Sequence, residues 1–150
     1  MQLSVVIPAL DEARALPTLL TQLGLQQNVG LEVIVADGGS TDATRELAAQ
    51  AQARVVAAPR GRGAQMNAGA REARGEYLLF LHADSELVSV SQLRDALAAV
   101  KARVALEDFR CAGHFALRFS RRAAPGHPRA SGDPDIIDFT GNSGCPRSRA

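Results

Sequence analysis

Long apolar runs are missing from this chain of 150 residues: the longest candidate, Tyr77 to Leu81, is far short of the roughly eighteen residues of a membrane span. No transmembrane segment is therefore expected. The opening Met1-Gln-Leu-Ser-Val-Val-Ile-Pro8 lacks the charged and apolar regions of a signal peptide and reads as a strand, which leads to the expectation of a cytoplasmic protein. Cysteine is scarce too. Cys111 and Cys145 are too few for a disulfide framework and lack metal-site spacing, so two free thiols in a reducing compartment are expected. Charge of one sign is also absent. Seventeen basic and sixteen acidic side chains leave a net charge of +1, which removes the footprint of a nucleic-acid binder. No P-loop lysine pattern occurs. The G-x-G-x-x-G dinucleotide pattern fails as well, because after Gly61 and Gly63 the next glycine position holds Met66.

What remains is an ordinary globular composition, 46% hydrophobic and 22% charged. A chain of this length suits one domain that buries about two-thirds of the surface it exposes when unfolded. Leu3 to Ile7 is a β-branched run stopped by Pro8, the pattern of a buried parallel strand. Leu16, Leu19, Leu20 and Leu23 follow at helical spacing, with Pro17 near the first turn and Gly24 near the end. Leu31 to Ala36 is a second strand. Asp37-Gly-Gly-Ser-Thr-Asp42 is a polar turn whose Ser40 or Thr41 would cap a helix from Asp42 to about Ala53. Arg54 to Ala57 makes a third strand. The segment Arg60 to Gly75 is a glycine-rich entry into an alanine-rich helix closed by a glycine. Tyr77 to Leu81 is the fourth strand, and a helix is expected over Ser91 to Ala102. Phe115, Leu117 and Phe119 alternate as a strand buried on one side would.

This alternation predicts an α/β fold with a mainly parallel sheet and right-handed crossovers. Ligands of such sheets bind outside the carboxyl ends of the strands, where the polar clusters at residues 8 to 12, 37 to 42 and 82 to 84 fall. His82 and Asp84 lie two apart and would share a direction if the strand ran through both. Taken alone, the pair can equally be a strand end and a turn cap. Carboxylates gathered at strand ends repel one another unless a cation or hydrogen-bond donors join them, and a hard divalent ion with phosphate oxygens meets that need. Arg60, Arg62 and the helix start near Gly63 offer cationic groups and backbone N–H to an anion, although a loop with solvated arginines gives the same pattern.

Three segments together resemble, in order and spacing, the family 2 glycosyltransferases of GT-A fold. They are Ser4-Val-Val-Ile-Pro-Ala-Leu-Asp-Glu12, Glu32-Val-Ile-Val-Ala-Asp-Gly-Gly-Ser-Thr-Asp42 and Leu78-Leu-Phe-Leu-His-Ala-Asp84. Arg60-Gly-Arg-Gly-Ala-Gln-Met-Asn-Ala-Gly69 with the His-Ala-Asp motif is similar to the subgroup called rSAM/selenodomain-associated transferase 2. The resemblance covers residues 3 to about 119. It implies a Rossmann-like GT-A domain over residues 1–119 and a hexosyltransferase that uses a nucleotide-diphosphate sugar, with an unknown acceptor. It implies that Pro8, Ala9 and Glu12 lie along the nucleotide, with Asp37 near its base and Arg62 and Asn67 bordering it. Asp84 matches the last aspartate of the family's DxD motif and would hold Mn²⁺ or Mg²⁺. His82 stands where that motif begins, among the nucleotide-sugar contacts.

Residues 120–150 hold four of the seven prolines and five arginines, show little periodicity, and read as an irregular tail. They do not resemble the family's second half, so the expectation is a chain truncated or divergent after about Phe119. The metal motif does not supply the base that deprotonates an acceptor, and no catalytic base is assigned. A donor-binding module without transfer activity is therefore the alternative to an active transferase. A nucleotidyltransferase fits less well, because Ala9-Leu-Asp-Glu12 follows the first strand where a glycine-rich phosphate loop would stand. An exposed apolar patch on a shortened sheet would favour association, so a homo-oligomer is among the expected states.

Overall fold

A computed structural model describes residues 2–105. The chain divides into two units, residues 1–94 and 95–150, and the sheet lies wholly within the first. Its elements are β1 (Leu3–Ala9), α1 (Leu16–Gly24), β2 (Leu31–Asp37), α2 (Thr44–Gln50), β3 (Arg54–Ala57), α3 (Arg62–Glu72), β4 (Tyr77–Phe80) and α4 (Gln92–Val104), the last running across the join. The four strands are parallel in the order β3-β2-β1-β4. The expected α/β sheet is thus present. The expected strand at Phe115 to Phe119, both cysteines and the tail from residue 120 lie outside the described residues.

All seven residues of β1 are buried, which fits a central strand covered on both faces. The strand does not stop at Pro8 as its ring predicts; it runs on to Ala9, with Pro8 opposite Ala36 of β2. The reason is directional. Ala9 O accepts Gly38 N–H from the β2 side, whereas Val6 O accepts Leu81 N–H from the β4 side. Alternation along the strand therefore points the nitrogen of Pro8 toward β4, whose paired residues end at Phe80. A proline there breaks no bond of the ladder.

The face of β1 carrying Val6 receives α3. A Cβ on Gly69 would stand 2.4 Å from Val6 Cγ1, so the helix lies closer than any larger residue allows. Gly75 was expected to cap α3, but the helix ends at Glu72; Gly75 instead lies against Ser4, whose N is 2.6 Å from where a Cβ would be. Here a buried carboxylate ties the amino ends of the strands together. Glu32 Oε2 accepts the Ser4 hydroxyl at 2.6 Å and Arg74 N–H at 2.8 Å, and Ser4 Oγ accepts Gly75 N–H at 2.8 Å. Arg54 stands 3.9 Å from Glu32 and is paired with Glu72. On the other side of the sheet, Leu16, Leu19, Leu20 and Leu23 of α1 form the buried stripe that their spacing predicts.

Helix α2 is shorter at both ends than expected, and neither Ser40 nor Thr41 caps it. Those hydroxyls are engaged elsewhere, and the Asp42 carboxylate takes the Thr44 N–H and hydroxyl instead. On β4, Leu78 and Phe80 share the α3-facing side with Ser4 and Val6, their register partners, yet each is 43% exposed.

Gly69→Ala should lower the unfolding free energy measured in urea by about 1 kcal/mol net, because overpacking against stiff Val6 outweighs the helical gain. In a Val6→Ala background the same change should be stabilising. Glu32 gives a pH prediction. Burial would raise its pKa, but the Ser4 hydroxyl, the Arg74 N–H and the charges of Arg74 and Arg54 outweigh burial and hold it below its ordinary 4.5. The folded state therefore binds that proton less readily than the unfolded chain. The resulting stability is present above about pH 4.5 and is lost as pH falls through the lower folded value. The melting temperature of Glu32→Gln should accordingly fall less steeply than the parent's as pH drops below about 4.5; parallel profiles would count against this.

Candidate functional site

The strand order reverses at β1: the chain steps outward through β2 and β3, then returns to place β4 on the other side. A crevice opens at such a reversal outside the carboxyl ends of the strands. The residues after each strand meet there: Leu10–Glu12 after β1, Gly38–Ala43 after β2, Arg60 and Gly61 before α3, and Leu81–Asp84 after β4.

The first two of these loops are stitched together through side chains. Asp11 Oδ1 accepts Thr41 N–H at 2.7 Å, the Thr41 hydroxyl at 3.2 Å and Asp42 N–H at 3.4 Å. In return Ser40 Oγ accepts Asp11 N–H at 2.9 Å, Thr44 Oγ1 accepts Glu12 N–H at 2.8 Å, and Asp42 Oδ2 accepts Ala13 N–H at 3.0 Å. Asp11 adopts φ +54 to make this possible, a left-handed conformation that short polar side chains tolerate better than most. The outcome is a backbone of fixed course on which Glu12 stands half-buried.

The carboxylates divide into two kinds. Asp37, 3% exposed, turns back into its own loop, accepting Gly39 N–H, Ser40 N–H and the Ser40 hydroxyl, with Arg45 at 3.8 Å. Asp42 is held below the ordinary carboxylate range, chiefly by the Thr44 hydroxyl and further by the Ala13 and Thr44 N–H groups. Glu12 behaves oppositely. Burial, then the negative charges of Asp84 and Asp42, raise its pKa above the ordinary value, while Arg62 and His82 act in the other direction. His82, Asp84 and Arg62 are thus each within electrostatic reach of Glu12. His82 and Asp84 are both exposed, and β4 ends before them, so a shared strand direction does not describe the pair.

The other expected residues are spread around this group. Pro8 and Ala9 are buried at the end of β1. Arg62 opens α3 and is exposed. Asn67 is exposed, two residues along α3 from the buried Gln65 and so on a different side of the helix. Gln65 itself was not singled out by the sequence. It donates from Nε2 to Ala9 O at 2.6 Å and Ala36 O at 3.4 Å, and its sequence surroundings, between Gly63 and Gly69, do not mark it.

Among the described residues, no group of three or more His, Cys, Asp or Glu side chains is placed to hold a metal ion. A cation here would take most of its ligands from water and phosphate oxygens, as Mg²⁺ usually does. The donor set fits that arrangement: Asp84 is exposed at the crevice, and the Glu12 carboxyl feels the negative charges of Asp84 and Asp42, which Arg62 and His82 offset in part.

The family model described as glycosyl transferase family 2 matches residues 4–133. An uncharacterised glycosyltransferase of Nostoc sp. is 33% identical over an alignment of 91 residues that covers 56% of this chain and 28% of that protein. A PGL/p-HBAD biosynthesis glycosyltransferase of Mycobacterium bovis is 34% identical over 106 residues, 66% of this chain and 40% of that one. Among solved structures, Staphylococcus aureus TarS 1-349 in complex with UDP-GlcNAc is similar with TM-score 0.61 and 26% identity, over 69% of this chain and 32% of that one. Glucosyl-3-phosphoglycerate synthase from Mycobacterium tuberculosis, in complex with Mn²⁺, UDP and glucosyl-3-phosphoglycerate, gives TM-score 0.50 and 28% identity, over 55% and 33%. The chain spans 28% and 40% of the length of these two curated relatives.

Loss of the stitching can be separated from backbone strain. Asp11→Ala should cost about 2 kcal/mol, since it removes the accepted bonds and leaves alanine at positive φ, whereas Asp11→Gly should cost roughly half that. Chemical denaturation of the two variants measures the difference; equal losses would assign the whole effect to the hydrogen bonds.

Proposed function

Because the chain belongs to glycosyl transferase family 2, we propose that the crevice between β1 and β4 binds a nucleoside-diphosphate sugar and that the protein transfers the sugar to an acceptor with the help of a divalent cation. The convergence of Glu12, Asp84, His82 and Arg62 at the point where the strand order reverses carries this reading. Uridine is the favoured base, since similar structures were solved with UDP-GlcNAc and with UDP and Mn²⁺. The segment Arg60 to Gly69 and the His-Ala-Asp tripeptide support a place in the rSAM/selenodomain-associated subgroup.

Each residue then has a physical task. Asp84 would hold Mn²⁺ or Mg²⁺, and such an ion, when bound, offsets the charge that builds on a departing nucleoside diphosphate. Arg62, at the start of α3, supplies a planar cation suited to phosphate oxygens. Pro8 and Ala9 form the floor beneath the nucleotide. Asp37 holds the turn that borders its base, acting through Gly39 and Ser40. His82 and Asn67 complete the border toward the sugar and the ribose. Glu12, whose pKa is raised, lies where a bound cation would relieve the repulsion it feels.

A thermal-shift panel of UDP, GDP, CDP and dTDP, each with and without Mn²⁺, tests this on the whole chain. UDP with Mn²⁺ at a hundred times its dissociation constant should stabilise by about 2.7 kcal/mol, a rise of several degrees. No rise with any nucleotide, from protein that melts cooperatively, would overturn the reading. Binding without turnover of the matching nucleotide-sugar would assign a donor-binding module in place of a transferase. Asp84→Ala should lose the Mn²⁺-dependent part of the rise while its own stability stays within about 0.5 kcal/mol of the parent, as expected for an exposed side chain outside the core.

A further inference from the structure

Gln65 is a buried amide at the meeting point of three elements, and no step of the proposed chemistry uses it. It lies three residues after Arg62, with 5% of its surface exposed. Its Nε2 reaches the last carbonyl of β1, Ala9 O, at 2.6 Å, and the Ala36 carbonyl of β2 at 3.4 Å. Space there is matched to it: a Cβ on Gly38 would stand 2.6 Å from that nitrogen. The amino end of α3 has no side-chain cap of its own, and Gly61 before it sits at φ +119. Gln65 is therefore the side-chain tie between the first turn of α3 and the strand ends. Ala9 is three residues before Glu12 and Gln65 is three after Arg62, so this bond links the segments that carry two site residues. The charge of Arg62 is felt at Glu12.

We propose that Gln65 is a positioning residue: its hydrogen bond to the Ala9 carbonyl holds the first turn of α3 at the carboxyl end of β1, so that Arg62 stands where it can meet the diphosphate of the donor. The inference rests on the reading of the crevice as a nucleoside-diphosphate site. Removing the amide need not unfold the protein, because Ala9 O keeps the Gly38 N–H at 2.9 Å and is not left without a donor.

The test is a double-mutant cycle on the whole chain, using UDP with Mn²⁺ in isothermal titration well below each melting temperature. Gln65→Leu should weaken binding about tenfold, Arg62→Ala by a similar factor, and the double variant no more than Arg62→Ala alone. Independent effects, which would multiply to about a hundredfold in the double variant, would overturn the inference. So would a Gln65→Leu protein with a lower melting temperature and unchanged affinity, since that is what a purely structural role produces. A second measurement needs no nucleotide. Amide hydrogen exchange at position 65, whose N–H is bonded to Gly61 O, should accelerate at least tenfold in Gln65→Leu relative to the amides of β2. Unchanged protection overturns the inference whatever the site binds. Failure of the parent to bind UDP, with the exchange result positive, would overturn the uridine reading and keep the tie.

Discussion

Seven register pairs join β1 to β2, from Leu3 with Leu31 to Ala9 with Asp37, and the site depends on that parallel pairing. Because both strands end at the same level and neighbouring strands lie about 4.8 Å apart, their following loops leave side by side. Short polar side chains can then bridge from one loop to the other, as Asp11, Ser40, Asp42 and Thr44 do. A slip of one residue would turn every side chain of β1 to the opposite face, taking Val6 away from Gly69 of α3.

The same pairing explains why five carboxylates near the strand ends have such different lives. Asp11, Asp37 and Asp42 are surrounded by N–H and hydroxyl donors supplied by the two loops, so their charge is spent on holding backbone. Glu12 and Asp84 belong to the side where β4 stands, and there the loops supply no comparable set of donors among the described residues. Charge left over on that side is what a cationic or metal-bound phosphate group would balance. At the opposite end of the sheet, Glu32 shows the closed alternative, a buried carboxylate with donors on one oxygen and arginines nearby.

Much of this fold was legible in the sequence because its strands are β-branched runs and α1 carries four leucines at helical spacing; neither pattern has a rival interpretation of the right length. Boundaries set by single residues read less well. Pro8 looked like a stop because sequence does not reveal which neighbour a missing N–H would have faced. Ser40 and Thr41 looked like caps, but Asp37 and Asp11 compete for the same groups across a turn and a loop. Gly75 looked like a helix end, yet its small size serves contact with Ser4, a residue 71 positions away. Gln65 was invisible for a similar reason: an amide in a glycine-rich helix start reads as solvated until the strand ends are placed under it. The strand-end clusters at residues 8 to 12 and 82 to 84, with Arg62 nearby, were legible from the alternation of elements, whereas the individual roles of Glu12, Asp84, His82 and Arg62 came only from the resemblance of three separate segments to a family.

Pro8 also determines the shape of the opening. The ladder between β1 and β4 closes with Leu81 N–H on Val6 O, and the next rung would need a hydrogen on the nitrogen of residue 8. An imino acid has none to offer, so the two strands have no hydrogen-bonding reason to stay together past that point. The point at which the two strands part is in this sense encoded by one covalent ring. The parting of the strands leaves no orphaned donor at its apex, so whatever enters the slot has no unmet N–H of β1 to satisfy at that position.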